Sequence, residues 1–324
     1  MMTVNRLRRK PRHFHSFTGL TPTEFDRLLS ELEPIYEAHQ RVRRERPDRQ
    51  RAVGGGRPGA LALGERLLMG LVYLRLYVSQ GFLSHLFGLD ESNVSRELNE
   101  RLFPALTEVL PVPLRDAPLR AGGRPEGSEE TDPPRRRIRT LEELFATYPE
   151  LREVLADATE QEVPKPKDKA ARKLRYSGKK GRHTIKTQVV TTKRQVLHVF
   201  GGLPGRVADV QLLRASGVPG KLPEGATLRV DRGYDGLETE RLKATVRQPI
   251  KGRRNRPVNL LGKLLNRAMS RLRIPVEHVL SRLKKFNCLA SVWRGRFEKH
   301  EEIFVLVGGL VNFKATGQFH LTAD

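Results

Sequence analysis

Three carboxylates in this sequence have the surroundings that metal-assisted chemistry requires. Between Arg241 and Phe297 the sole acidic side chain is Glu277, in a stretch dense in Lys and Arg. Asp157 and Asp231 each follow a short apolar run, Val154-Leu155-Ala156 and Leu228-Arg229-Val230, of the kind that forms a strand. A carboxylate just past a strand projects from a sheet edge into a cleft. Two such aspartates with a helical glutamate can hold two magnesium ions through hard oxygen ligands. Paired ions activate a water or a 3′-hydroxyl and stabilise the leaving oxygen of an in-line displacement at phosphorus. Each carboxylate also has an ordinary explanation: a loop acid for Asp157, a turn residue before Gly233 for Asp231, and a salt-bridge partner or first-turn acid for Glu277.

The neighbours of Glu277 sharpen the reading. Arg273, Glu277 and Lys284 are spaced by four and seven residues and share one face of a continuous helix, where the two cations can hold a phosphate backbone. Pro275 is expected to break or kink that helix, which would carry Arg273 off the stripe. A second basic run follows Asp157 and includes Lys165, Lys167, Lys169, Arg172, Lys173, Arg175, Lys179 and Lys180, with Arg182 and His183 just beyond. It reads as backbone contact with a polyanion or as a solvated loop. His183 is open to a phosphate contact or to a structural role at a strand start. Asp209 reads as a helix cap or an auxiliary metal ligand, and Trp293 as a stacking platform or core.

The elements that must position these groups are legible in part. Thr21-Pro22-Thr23-Glu24 is a helix start with a capping box and Pro at the first position, and Phe25, Leu28, Leu29, Leu32 and Ile35 continue with helical spacing. An apolar helix is expected from Leu61 to Tyr77, and a short one after the Thr140/Glu143 capping box. Thr184–Thr191 and Val196–Phe200 read as an antiparallel pair about a turn at 192–195, and a long helix is expected from about Leu260 to Phe286. Ile303–Phe313 reads as core. Strands followed by alternating helix and strand imply an α/β domain with a mixed sheet.

Gln80–Leu102 has the grammar of a helix-turn-helix, with an ordinary helical hairpin as the alternative. Leu83 and Phe87 face inward, Gly88 makes a left-handed turn, Leu89 plugs the core, Asp90 caps the second helix, and Val94 and Leu98 anchor it. That leaves Glu91, Ser92, Asn93, Ser95 and Arg96 exposed near the second helix's N-terminus, where short polar side chains can read a major groove. Glu97 departs from the pattern, standing where such motifs are usually apolar.

Composition agrees with a polyanionic partner: 324 residues carry a formal net charge of +23, and a chain that basic calls for nucleic acid. The single cysteine, Cys288, excludes an intramolecular disulfide and an all-thiolate metal site and points to a reducing, cytoplasmic setting. No secretory signal or membrane span is read. Two Gly-, Pro- and Arg-rich stretches, 41–60 and 115–139, read as linkers, dividing the chain into a helical domain at 1–114, a linker at 115–139 and an α/β domain at 140–324.

The segments LADATEQEVPKPKD, RYSGKKGRHTIKTQVV, GRVADVQLL, LRVDRGYDGL and RIPVEHVLSRLKKFNCLASVWRGRF resemble, in order, the catalytic domain of bacterial insertion-sequence DDE transposases, and Phe17 to about Leu110 resembles the helix-turn-helix domain that accompanies it. The matching residues are Asp157 with Thr159 and Glu160; Tyr176 to Lys180; Arg182, His183, Thr184 and Lys186; Asp231 with Gly233 and Tyr234; and Glu277 with His278. Ser270 stands where the wider family often has Tyr. The resemblance implies an RNase H-like fold preceded by an all-α domain, with Asp157, Asp231 and Glu277 as the metal-binding triad. Two Mg2+ ions, replaceable by Mn2+, would serve it. It further implies cleavage of double-stranded DNA at terminal inverted repeats, strand transfer into target DNA, a homodimer or larger assembly on DNA, and a place at the bacterial nucleoid. The alternative it leaves is a DNA-binding regulator, derived from a transposase, that has lost catalysis.

Overall fold

The chain begins with helices whose ends are written into the sequence. The computed structural model describes residues 1–45, 60–115, 137–237, 240–252 and 258–323. Most of both expected linkers, including Arg46 and Arg51, therefore lies outside the described residues. The described chain falls into two compact units, one of Met1–Pro111 with Lys285–Cys288 and one of the remaining residues from Val112 onward.

In the first unit α1 (Val4–Arg8) and α2 (Pro11–Thr18) precede α3 (Pro22–Arg44). The Thr21/Glu24 capping box forms in both directions, and Phe25, Leu28, Leu32 and Tyr36 are the buried rungs of α3, with Ile35 only half-buried. Then come α4 (Leu63–Leu76), α5 (Gln80–Phe87), α6 (Glu91–Arg96), a π-helical turn over Glu97–Leu102, and α7 (Phe103–Val109). Gly88 adopts φ +68° between α5 and α6, the left-handed conformation that glycine reaches at least cost. Two details differ from expectation. Asp90 occupies the cap position of α6 but its side chain caps no backbone N–H; Asn93 Nδ2 approaches it at 3.4 Å. Leu89 is half-buried and does not plug the core.

Glu97 explains its own departure. It is 3% exposed, accepts a hydrogen bond from Tyr36 Oη at 2.6 Å, and pairs with Arg66 and, at 3.1 Å, with Arg101. A buried charge persists only when partners surround it, and here a phenol and two guanidiniums do so.

The second unit opens with α8 (Leu141–Thr147), followed by β1 (Glu153–Glu162), α9 (Lys169–Arg175), β2 (Tyr176–Ser177), β3 (Arg182–Thr191) and β4 (Val196–Pro204). After these come α10 (Asp209–Ala215), α11 (Val218–Lys221), β5 (Thr227–Arg229), β6 (Thr245–Arg247), α12 (Leu260–Lys284), α13 (Asn287–Ala290) and α14 (His300–Thr316). β3 pairs antiparallel with β1 on one side and with β4 and the short β2 on the other, while β5 and then β6 extend the sheet from β1 in parallel. The sheet order β4-β3-β1-β5-β6, with an antiparallel half and a parallel half meeting at β1, is the RNase H-like arrangement.

One sheet face rests on a core that includes Val154, Ala156, Val190, Leu228, Val230 and Tyr234. α14 packs on β4 with Ile303–Phe313 buried as expected, and buried Asn312 bonds both the N–H and the C=O of Val196. Two expectations are corrected. β1 does not end before Asp157 but runs on to Glu162, because β3 remains its partner over that whole length. Pro275 does not break α12, which is one helix on both sides of it; buried Asn266, Val276, Val279 and Leu283 hold the flanking turns. Among the described residues no helix is long and apolar enough to cross a membrane.

Candidate functional site

The centre of the sheet is where two carboxylates meet. β1 pairs with β5 only over Glu153–Leu155, so at Asp157 one edge of β1 has lost its parallel neighbour. β5 stops at Arg229, and Asp231 follows two residues later at the head of a 3-10 turn, Arg232–Tyr234, where its Oδ1 accepts from Gly233 N at 2.5 Å. A parallel pairing that stops early thus sets the end of one strand beside the flank of another.

Asp157 is mostly buried, and its carboxyl is pushed up to about 6. Burial is the largest cause; Arg273 and the Ala158 N–H work against it, and the nearby Asp231 and Asp209 push it higher still. The opposing cation is Arg273, whose Nη2 lies 3.4 Å from Oδ2. Asp209 is the first residue of α10 rather than its cap. A Cβ on Gly233 would lie 2.9 Å from both Asp209 Oδ2 and Asp231 Oδ1, so any larger residue would push these two carboxylates aside.

Two buried links hold the cluster, and sequence reasoning did not find either. Tyr234 Oη donates to Gln188 Oε1 at 2.8 Å, and Gln188 Nε2 donates to the Asp157 carbonyl at 2.9 Å, which ties the Asp231 turn to the backbone of β1. Lys186 Nζ reaches Val207 O at 2.8 Å, Asp209 Oδ1 at 2.9 Å and Glu160 Oε1 at 3.4 Å. Burial raises the Glu160 carboxyl, but hydrogen bonds from Ser177 and Thr184 and the charge of Lys186 outweigh it and hold it below its usual range. The available signal was the pair Lys186 and Gln188 on one face of a strand otherwise rich in Ile, Thr and Val.

The structure gathers some of the remaining candidates and leaves others apart. Arg273, Glu277 and Lys284 lie on one continuous helix, yet Glu277 is exposed. Lys284 is within electrostatic reach of Lys180, Asp157 and Glu160. Lys179 and Lys180 are exposed in the β2–β3 turn, Arg182 pairs with Glu162 at 2.6 Å, and His183 stands edge-on to Tyr176 at 5.7 Å. Beside them, Lys169, Arg172, Lys173, Tyr176, His183 and Arg206 line a cavity of about 550 Å³. Trp293 is buried against His300, with Nε1 bonded to Arg296 O, so it is core. In the first unit Ser92, Asn93 and Arg96 are exposed and Ser95 half-buried, and Arg96 bonds back to Ser92 O at 3.3 Å.

Comparison with known proteins gives these positions a context. Residues 156–312 match the DDE superfamily endonuclease model, and residues 59–100 match the helix-turn-helix of DDE superfamily endonuclease. A probable transposase for insertion sequence element IS702 from Microchaete diplosiphon is 37% identical over 163 residues, 50% of this chain and 56% of that protein. Together these matches support an insertion-sequence DDE transposase. It spans little more than half the length of the curated relative it matches. The crystal structure of a pre-cleavage Mos1 transpososome is 12% identical, covering 87% of this chain and 86% of that one, with a TM-score of 0.18.

DDE endonucleases generally use divalent metal ions, and the donor set of this chain can be judged on its chemistry. Asp157, Asp209 and Asp231 offer carboxylate oxygens alone, the hard donors that such cations prefer; Arg273 faces Asp157 at 3.4 Å and Lys186 faces Asp209 at 2.9 Å. In donor chemistry the residues suit a divalent cation. Among the described residues no three His, Cys, Asp or Glu side chains stand at metal-holding separations, and Glu277 is exposed on α12.

Proposed function

We propose that this chain is a metal-dependent DNA transposase, cutting double-stranded DNA at the terminal inverted repeats of an insertion element and joining the freed ends to target DNA. The observation that carries this reading is Asp157, mostly buried and pushed up in part by the nearby Asp231, at the junction of β1 and β5. Asp157, Asp231 and, from α12, Glu277 would hold two Mg2+ ions, with Mn2+ able to substitute. Bound there, the ions would supply charge to the attacking and leaving oxygens of an in-line displacement.

The chain's own groups do the rest. Arg273 exchanges the Asp157 carboxylate for a phosphate oxygen, which its planar fork recognises equally well. Lys284 adds positive charge along the same helix stripe, while Lys179, Lys180, Arg182 and His183 hold the DNA backbone without reading sequence. Ser92, Asn93, Ser95 and Arg96 on α6 face the major groove of the element ends. In this division 1–114 binds the ends, 115–139 links, and 140–324 cuts, as a homodimer or larger assembly on paired ends, in the cytoplasm at the nucleoid.

The exposure of Glu277 favours one alternative, a DNA-binding regulator without catalysis. Cleavage of DNA carrying the element ends separates the two readings. Wild-type cutting that requires Mg2+ and vanishes in Asp231→Asn supports the enzyme. Tight end binding without cutting by either protein supports the regulator.

A further inference from the structure

Lys186 is a charge set where a sheet seldom carries one. It stands inside β3 with its side chain 7% exposed, between buried Ile185 and Thr187. Its cross-strand neighbour on β1 is Glu160. An ammonium has three protons to donate, and three acceptors surround this one: Val207 O at 2.8 Å, Asp209 Oδ1 at 2.9 Å and Glu160 Oε1 at 3.4 Å. Glu160 depends on Lys186 least, because Thr184 Oγ1 donates to it at 2.7 Å and Ser177 supplies another hydrogen bond. The closest acid, and the one that gains most, is Asp209.

Asp209 is placed where a third metal ligand could be. Its other oxygen, Oδ2, and Asp231 Oδ1 each lie 2.9 Å from where a Cβ on Gly233 would stand, so the two oxygens are at most twice that distance apart. Asp209 is also within electrostatic reach of Asp157. Yet among the described residues no three acids stand at metal-holding separations. Asp209 is close to the pair without joining it.

We infer that Lys186 is a positioning residue that keeps Asp209 out of the metal site. The inference rests on the metal-dependent reading above. Mg2+ in phosphoryl-transfer sites is usually bound by one or two carboxylates, and waters and substrate phosphates fill its remaining positions. A third carboxylate would occupy a position that a phosphate oxygen needs and would set negative charge against that phosphate. One oxygen of Asp209 is tied to an ammonium whose own place is fixed by the β1–β3 register, so this acid cannot turn both oxygens toward Asp231. Gly233, having no side chain, leaves the gap across which Asp209 would reach if the tie were cut. The same contacts would also fasten α10 to the sheet, and the two roles part when the lysine is removed.

The test is Mn2+ binding to the full chain without DNA, with the waters on the bound ion counted by proton relaxation. Lys186→Met is expected to bind Mn2+ about tenfold more tightly and with about one water fewer, because Asp209 replaces it, while cutting element-end DNA more slowly. Lys186→Met/Asp209→Asn is expected to return affinity and water number to the wild-type values. A lysine that only fastens α10 would loosen the site, so weaker Mn2+ binding with no loss of water in Lys186→Met overturns the proposal. Should that variant fail to fold, Asp209→Asn alone decides: an unchanged water number supports the proposal, and a gained water shows that Asp209 already ligates and overturns it. A wild type that binds no Mn2+ overturns the metal-dependent reading itself, and this inference with it.

Discussion

Glu97 and Asp157 are both buried acids in a chain with a large excess of cations, yet they are solvated by protein in opposite ways. Glu97 has a tyrosine hydroxyl and two guanidiniums in direct contact. Asp157 has one guanidinium at 3.4 Å, one backbone N–H, and two further carboxylates within electrostatic reach. The chain sets two guanidiniums against the first acid, and one guanidinium at 3.4 Å with the more remote Lys284 against the second. Glu97 is neutralised by its own chain; under the proposed function Asp157 is left short for an external cation.

The sharpest way to break this contrast is to neutralise each acid in turn. Asp157→Asn is expected to lower strand cleavage by about a thousandfold, on the scale of losing an essential electrostatic group, and to leave thermal stability unchanged or raised because a buried like charge is gone. Glu97→Gln is expected to do the reverse. It strands Arg66 and Tyr36 at a cost of about 3 kcal/mol, read by denaturant unfolding, and the protein that remains folded still cuts. Equal loss of stability in both variants contradicts the distinction.

Acidity offers a second comparison, in buffer free of divalent ions. Folded Asp157, raised to about 6, binds its proton more tightly than the unfolded chain does, so its contribution is present below about pH 4 and is lost as pH rises through 6. His300 is buried and pushed down to about 4; its contribution is present above about 6.5 and is lost as pH falls towards 4. The two slopes oppose one another in the same window, each on the order of 2 kcal/mol. Asp157→Asn should steepen the loss of melting temperature toward acid, and His300→Gln should flatten it. Parallel slopes in the two variants would mean that neither burial is as described.

Smaller effects follow from the supporting groups. Tyr234→Phe removes the link through Gln188 to the Asp157 backbone, at about 1 kcal/mol of stability and roughly tenfold in turnover, with substrate affinity unchanged. Lys173→Ala, at the 550 Å³ cationic cavity, should weaken binding to all DNA sequences alike and reduce the salt slope of log K by about one.

The sequence pointed to Asp157 and Asp231 as candidates more clearly than to how they are placed. Asp157 and Asp231 were marked by apolar runs before them, but the run before Asp157 gave no sign that β1 continues to Glu162, because that depends on the length of β3, a partner distant in sequence. Pro275 read as a break from local propensity, which tertiary packing of Val276 and Val279 overrode. Glu97 looked like a flaw in a helix-turn-helix, since its partners Tyr36 and Arg66 come from other helices. The capping box at Thr21, the Gly88 turn and the core character of Ile303–Phe313 needed only local information and were legible.

The measurement closest to the central claim is metal rescue at Asp231. A thiolate binds Mn2+ better than the harder Mg2+, so Asp231→Cys should cut element-end DNA in Mn2+ and be silent in Mg2+, while the wild type cuts in both. Cutting by Asp231→Cys at the wild-type rate in Mg2+, or equal silence in both metals beside an active wild type, would contradict a metal-holding role for the Asp157–Asp231 pair.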